Sequence, residues 1–252
     1  MKISIITVVY NNAGTIEDTI LSVASQSHQG IEHVIVDGGS KDCTLAIIEK
    51  HRDKLATVVS EPDQGIYDAM NKGLRLVTGE VVGFLNADDI YVDEGALEQV
   101  GQAFTDPDVD ACYADLVYVD PTDLNKVVRF WKSREYEPGL FRKGWAPAHP
   151  TFFARKKIYD EYGVYDISYR LAADFELMLR FLDRAKIKSV YIPKVLVKMR
   201  LGGASNKNIS NIIRQNLEIL MAYRKNKIAI SPFFIFTKAF SRLSQFYSKP
   251  IG

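Results

Sequence analysis

The run Val81-Val82-Gly83-Phe84-Leu85, closed by Asn86-Ala87-Asp88-Asp89, constrains this chain more than any other stretch. Five mostly apolar residues in succession read as a strand buried on both faces, the habit of strands in a parallel sheet. In open α/β sheets, ligands gather beyond the carboxyl ends of the strands, near a switch in strand order. Asp88 and Asp89 side by side repel each other, and one reading places a cation between them. A divalent metal carrying a diphosphate meets that need, because hard cations favour oxygen ligands and keep substrate phosphates as co-ligands. The other reading makes the pair a turn, or a cap for a helix near Asp93. Spacing alone leaves both open.

The chain before this strand repeats one pattern. Residues 3–9 form a strand candidate that runs into Tyr10-Asn11-Asn12, followed by an amphipathic helix over about 14–26. A second strand, 31–36, ends in Asp37-Gly38-Gly39-Ser40; a helix and a third strand, 56–60, follow. The loop Glu61-Pro62-Asp63-Gln64-Gly65 leads into a helix over 66–77 with Ile66, Met70, Leu74 and Val77 turned inward. Such alternation predicts a right-handed, mostly parallel sheet with helices on both faces. The first strand–helix loop lacks G-x-G-x-x-G, and no G-x-x-x-x-G-K-[ST] occurs, so neither common phosphate-binding loop is present.

After Asp106-Pro107 the pattern changes. Residues 109–119 and 126–131 read as strands about a Pro121-Thr122-Asp123 turn, and 132–148 as loop. A helix is expected over 175–182, then two short strands, 190–192 and 195–199, flanking Pro193. The second half is therefore mixed.

A net charge of +1 conceals an asymmetry: from Lys194 onward there are 11 Lys/Arg and a single acid, Glu218. A basic end of this kind marks an anionic surface as partner. Residues 208–225 predict a helix, and a second one past Pro232 carries Phe233, Phe236, Phe240, Leu243 and Tyr247 at steps of three or four. That aromatic stripe, beside Lys238, Arg242 and Lys249, suits either a helix lying in a membrane surface or one packed on the domain. Two cysteines, Cys43 and Cys112, without C-x-x-C spacing point to a reducing compartment and no structural zinc. The start of the chain reads as a strand, with no signal peptide, and no apolar run reaches the roughly 20 residues that span a bilayer.

Four loops now fall at strand ends: Thr7-Val8-Val9-Tyr10-Asn11-Asn12, Asp37-Gly38-Gly39-Ser40-Lys41-Asp42, residues 61–73, and Asn86-Ala87-Asp88-Asp89. In this order and spacing they resemble the family 2 glycosyltransferases of the GT-A fold, nearest in look to bacterial enzymes assembling O-antigen, capsule or colanic acid. The resemblance covers roughly residues 1–205. It implies an α/β fold with a central, mostly parallel mixed sheet and flanking helices, followed by C-terminal amphipathic helices. The nucleotide-binding half would be 1–106, the acceptor-binding half 107–205, and 206–252 a basic helical extension.

The resemblance further implies inverting transfer of a sugar from a nucleoside diphosphate, expected to be UDP, to a lipid-linked saccharide. Thr7, Val9, Tyr10 and Asn11 would meet the nucleotide, Asp37 the uracil or ribose, and Asp63 would continue that pocket. Each has a plainer reading: Thr7 as a strand residue, Asp37 as a turn former, Asp63 as a helix cap. The family's Asp-x-Asp metal motif stands here as Asn86-Ala87-Asp88, leaving Asp88 as the ligand to Mn²⁺ or Mg²⁺ with Asp89 in support. Leu171-Ala172-Ala173-Asp174 resembles the family's Glu-Asp element and puts Asp174 in the role of general base, with Ala173 where Glu is frequent. Asp174 as a simple helix cap is the alternative. Trp145 and His149, in Trp145-Ala146-Pro147-Ala148-His149-Pro150, resemble an acceptor loop, with His149 also a candidate metal ligand. Arg200, opening Arg200-Leu201-Gly202-Gly203-Ala204-Ser205, would offer a guanidinium to the diphosphate, unless the segment is an ordinary turn. The partners implied are a nucleotide-sugar, a lipid-linked acceptor and the cytoplasmic membrane surface, with no nucleic acid. The place is cytoplasmic, peripheral at the inner face of the cytoplasmic membrane. Two other classes compete. A sugar-nucleotidyltransferase would need a basic glycine-rich loop where Tyr10-Asn11-Asn12-Ala13-Gly14 stands, and a non-catalytic module would have lost turnover while retaining the pocket.

Overall fold

The structure, a computed structural model, describes residues 1–202 and 209–230. The aromatic stripe from Phe233 to Tyr247 and residues 203–205 of the loop after Arg200 lie outside the described residues.

Among the described residues, nine strands form one sheet. Strands β1 (Ile3–Val9), β2 (Ile31–Asp37), β3 (Thr57–Ser60) and β4 (Val81–Phe84) are parallel neighbours in the order β3-β2-β1-β4. Strand order therefore reverses at β1, and the carboxyl ends of β1 and β4 flank the switch point where such sheets open a crevice. Beyond β4 the sheet turns mixed through β5 (Asp89–Tyr91), β6 (Ala111–Val119), β7 (Val127–Trp131), β8 (Phe153–Arg155) and β9 (Ser189–Arg200). β8 joins β4 to β6 by antiparallel pairing, β9 runs parallel to β6, and β5 closes on β9 antiparallel.

Successive side chains of β1 point to opposite faces, and each face is buried by helices. Ile6 and Val8 pack under α3 (Ile66–Leu76) in the largest core cluster, whereas Ile3 and Ile5 join Val23 of α1 (Ile16–Ala24) and Leu97 of α4 (Ala96–Ala103). Val9 and Ile35 pack with Ile48 of α2 (Thr44–Lys50). The expected helices on both sides of the sheet are thus present.

Several local expectations are corrected. Ile66 is 45% exposed rather than inward, because it opens α3 at the rim of the cleft where no layer lies above it. The two short strands around Pro193 are one strand, β9. A bulge absorbs Pro193-Lys194 between the pairs Ile192–Ala114 and Val195–Asp115, and so the proline that cannot donate stays out of the ladder. The helix that begins α6 (Ala173–Leu179) passes into a π-helical turn, Arg180–Arg184.

The first helix of the basic extension, α7 (Ile209–Lys225), lies against α6. Ile219, Ala222 and Tyr223 are buried with α3, α5 (Lys156–Tyr162) and α6 in a single cluster. Among the described residues, no helix is long and apolar enough to cross a membrane.

Candidate active site

A cleft of about 870 Å³ opens at the carboxyl ends of β1 and β4. Val9, Tyr10, Asn11, Asp63, Asn86, Ala87, Asp88, Trp145, His149, Asp174 and Arg200 all line it. Residues separated by as much as 191 positions along the chain are thereby brought to one cavity, with Asp88 and Asp174 both on its walls.

On the nucleotide side, Asn11 takes a left-handed backbone (φ 48°) and ties two loops together. Its amide N–H donates to Ser40 Oγ at 2.8 Å, and its Oδ1 accepts from the Lys41 N–H at 2.8 Å. Tyr10, 59% exposed, projects at the cleft edge. Asp63 accepts the Gly65 N–H at 2.8 Å, so it shapes the turn before α3 while the cap position itself is Gly65. Gly38 matters here, since a Cβ on it would come within 2.4 Å of Asp63 Oδ2.

Two residues expected at the nucleotide sit elsewhere. Thr7 is wholly buried, its hydroxyl 2.9 Å from His33 Nε2, on a face of β1 covered by helices. Burial drives the His33 imidazole down to about 3, so this pair is a neutral core contact. Asp37 is likewise wholly buried. Its carboxylate accepts from the Gly39 and Ser40 amides at 3.1 and 3.0 Å, from Ser60 Oγ at 2.7 Å and from Ser40 Oγ. It organises the loop that Asn11 holds, and this geometry supports the turn-forming reading.

The Asn86–Asp89 segment is pinned by its carbonyls. Thr15 Oγ1 donates to Ala87 O at 2.8 Å, Thr19 Oγ1 to Asp89 O at 2.9 Å, and Arg200 to Asp88 O at 2.7 Å. The Asp89 N–H closes a turn onto Asn86 O at 3.0 Å, yet Asp89 then opens strand β5. The two neighbouring acids part company there. Asp88 lines the cleft, whereas Asp89 is wholly buried and accepts from Asn86 Nδ2 at 3.2 Å. Burial foremost, and then the charge of Asp88, push the Asp89 carboxyl well above the usual range. Asp88 is therefore the carboxylate of this segment that faces the cleft, and Asp89 as a supporting ligand does not match its burial.

Arg200 is 6% exposed, and its guanidinium binds both Asp88 O and the Asp18 carboxylate of α1. It touches the cleft chiefly as a brace between β9, α1 and the Asp88 turn. This assigns its Nη1 and Nη2 donors to protein, while Nε is buried without a hydrogen-bond partner among the described residues.

The opposite wall is built around Asp174, the second residue of α6. Its Oδ1 accepts the Phe175 N–H at 2.8 Å and the Tyr67 hydroxyl at 3.3 Å, and its Oδ2 lies 3.3 Å from His149 Nδ1. Burial first, and then the Asp174 charge, hold the Tyr67 hydroxyl well above its ordinary range, which keeps it a donor. Asp174 is not the helix cap. The cap position is Ala172, and the amides of Arg170, Leu171 and Ala172 donate instead to Glu218 of α7, at 2.8 Å from Leu171 and 3.0 Å from Ala172. A carboxylate at that end also meets the positive pole of the helix.

Tyr67 and Glu218 were not singled out as site residues from the sequence. Glu218 carried a signal nonetheless, being the one acid from Lys194 onward. Trp145 stands half-buried in an aromatic group, its ring edge-on to Tyr113 and Phe141 at 5.8 and 6.0 Å between centroids. Its Nε1 is buried without a partner among the described residues.

Comparison with known proteins bears on this arrangement. Residues 4–163, more than half of the chain, match the model of glycosyl transferase family 2. A "PGL/p-HBAD biosynthesis glycosyltransferase" of Mycobacterium tuberculosis is 30% identical over 207 residues, covering 81% of this chain and 78% of the relative. An uncharacterized glycosyltransferase of Nostoc is 38% identical over 127 residues, covering 49% of this chain and 39% of the relative. Among solved structures, S. aureus TarS 1–349 in complex with UDP-GlcNAc superposes with a TM-score of 0.66 at 19% identity, covering 88% of this chain and 66% of that one. The Pyrobaculum calidifontis mannosyltransferase PcManGT, in complex with GDP-Man and Mn²⁺, gives 0.67 at 20% identity, covering 96% and 69%. The longer TarS structure is matched over 40% of its length. These likenesses give the sheet its name, the GT-A fold, and the extent of the family match settles membership: the chain belongs to glycosyl transferase family 2 and is a glycosyltransferase.

Proposed function

We propose that this glycosyltransferase transfers a sugar, with inversion at the anomeric carbon, from a UDP-sugar to a lipid-linked saccharide at the cytoplasmic face of a membrane. The observation that carries the reading is the joint presence of Asp88 and Asp174 on the walls of one cleft at the switch point of the sheet. The nucleotide would lie against Val9, Tyr10, Asn11 and Asp63, with its diphosphate toward Asp88. Solved relatives in this fold hold UDP-GlcNAc and GDP-Man, which supports a nucleoside diphosphate donor.

Among the described residues no three His, Cys, Asp or Glu side chains gather in metal-binding array. At the Asn86–Asp89 turn the cleft offers one carboxylate, Asp88, beside the Asn86 amide, with Asp63 and Asp174 on other parts of its wall. That sparse set fits Mn²⁺ or Mg²⁺, which take one or two carboxylates and complete their shell with substrate phosphates and water. When bound, the cation neutralises charge on the departing diphosphate.

Asp174 would accept the proton of the acceptor hydroxyl as that oxygen attacks the anomeric carbon. The new C–O bond forms on one face while the bond to the diphosphate breaks on the other, releasing UDP. Tyr67 and His149 each contact one carboxylate oxygen, which restricts rotation of the group and aims it into the cleft. His149 would thus serve the base first, and the acceptor loop second. The basic end of the chain would hold the enzyme near its acceptor by attraction to anionic headgroups.

Titration of UDP with and without Mn²⁺, run beside a turnover assay on UDP-sugars, tests the whole. Asp174→Asn is expected to bind UDP as the wild type does and to lose transfer. Transfer at the wild-type rate in that variant removes Asp174 from the role.

A further inference from the structure

Next to the cleft lies a second chamber of about 530 Å³, continuous with it through Gly65, Ile66, Tyr67, Arg170 and Leu171. It lies on the Asp174 side, because Tyr67, whose hydroxyl reaches Asp174, belongs to both walls. Two guanidinium groups line it, Arg170 from the segment before α6 and Arg214 from α7. Among the described residues neither forms an ion pair, in contrast to Arg134, Arg180 and Arg200. Among the described residues the one acid lining the chamber, Asp68, is already engaged: it accepts the Gln64 N–H at 3.0 Å and lies 3.8 Å from Lys72 Nζ.

The position of Arg170 is set in advance, because its own amide is one of those tied to Glu218. Around the two cations stand exposed apolar side chains. Ile66 and Ile167 are 45% and 50% exposed on the chamber wall. Singly such residues are ordinary, but here they border a paired cationic site that opens on the base.

We infer that this chamber is an acceptor subsite for an amphiphilic phosphate, a phosphate or diphosphate that joins a saccharide to an apolar chain. Arg170 and Arg214 bind the phosphate oxygens, the sugar end reaches Asp174, and the apolar chain leaves over Ile66 and Ile167. Arginine suits the task, since its planar fork meets phosphate oxygens two at a time and is weakly hydrated. The inference rests on Asp174 being the base that meets the acceptor, and it adds where the acceptor's charge is recognised. The donor diphosphate is not a competitor for this chamber, as it is directed to the Asp88 wall.

The test uses the full chain loaded with saturating UDP and Mn²⁺, so that the donor side is filled. Octyl phosphate, octyl glucoside and inorganic phosphate are then titrated calorimetrically into wild type, Arg170→Gln, Arg214→Gln and the double variant, with melting temperature confirming folding. Octyl phosphate is expected to bind wild type, to weaken about tenfold with each substitution and further in the double variant. UDP affinity should stay within about twofold of wild type. Octyl glucoside, lacking the charge, should bind weakly and respond to none of the substitutions. Octyl phosphate binding as tightly to the double variant as to wild type overturns the subsite. Inorganic phosphate binding as tightly as octyl phosphate overturns the apolar path. Failure of the parent reading looks different: the wild type would then bind no UDP or transfer no sugar, whatever the arginines do.

Discussion

The turn that carries Asp88 and the helix that carries Asp174 face the same cleft but are held in place by different means. Asp88 sits on four consecutive residues, Asn86 to Asp89, whose carbonyls are gripped by α1 and by Arg200. Nearly everything that shapes this wall comes from the first 90 residues and from adjacent parallel strands. Asp174 is held by side chains from three separate stretches: Tyr67 of α3, His149 before β8 and, through the helix end, Glu218 of α7. The donor wall is thus a property of the sheet, whereas the base is a property of how the later segments dock on it. The turn is held at its carbonyls, so replacing its own side chains leaves the grip in place, whereas the aim of Asp174 depends on contacts to its own carboxylate.

Substitutions at five positions break or sharpen this contrast. Asp174→Asn is expected to have the largest effect, lowering kcat by about 10³-fold, within the span for a lost general base. Its UDP affinity should be unchanged by calorimetry. Asp88→Asn should lower kcat by about 10²-fold and abolish the dependence of UDP binding on Mn²⁺, as expected when charge stabilisation of the diphosphate is removed. Unaltered metal dependence in that variant would move the cation elsewhere.

Glu32, at the amino-terminal edge of the sheet away from the cleft, and Glu218, behind Asp174, compare a strut of the fold with a strut of the site. Burial acts to raise the Glu32 carboxyl, but hydrogen bonds from Lys2, Ser4 and Thr78 outweigh it and bring the group down to about 2. An acid whose folded value lies below the ordinary 4.5 stabilises the fold at all higher pH, and that contribution fades as pH falls from 4.5 toward 2. Glu32→Gln should therefore cost roughly 3 kcal/mol at pH 7 with kcat intact, and the gap in melting temperature should close by about pH 2. Glu218→Ala should do the reverse, lowering kcat about tenfold through misalignment of α6 while costing about 1–2 kcal/mol of stability. Recovery of rate in Glu218→Gln, whose amide oxygen still accepts, distinguishes alignment from a general loss of folding. Asp89→Asn should do least, leaving kcat within about threefold, because the buried carboxyl faces away from the cleft. A loss matching that of Asp88→Asn would restore Asp89 to the metal site.

Much of the donor wall was legible beforehand because it obeys local rules. Each buried strand ends in a polar loop, and in a parallel sheet those ends must share one edge. Val9, Tyr10, Asn11, Asp63, Asn86 and Asp88 accordingly met where their spacing placed them. The rules failed where a polar side chain turned inward. Thr7 and Asp37 occupy strand positions indistinguishable by spacing from ligand-facing ones, and only the neighbouring strands and the loop after β2 show that their polar atoms are taken. The same ambiguity divided Asp88 from Asp89, since adjacent residues of an incipient strand point to opposite sides.

The sequence by itself determined the alternating architecture, the carboxylates at its open edge and the family they signify, because periodicity and loop chemistry act over a few residues. Only the tertiary structure decided that Tyr67 and His149 would aim Asp174, that Glu218 would tie down the segment leading into its helix, and that α7 would be core rather than appendage. Such contacts join residues up to 107 positions apart. Nothing in a local pattern specifies them, because their energy exists only once the sheet has brought the segments together.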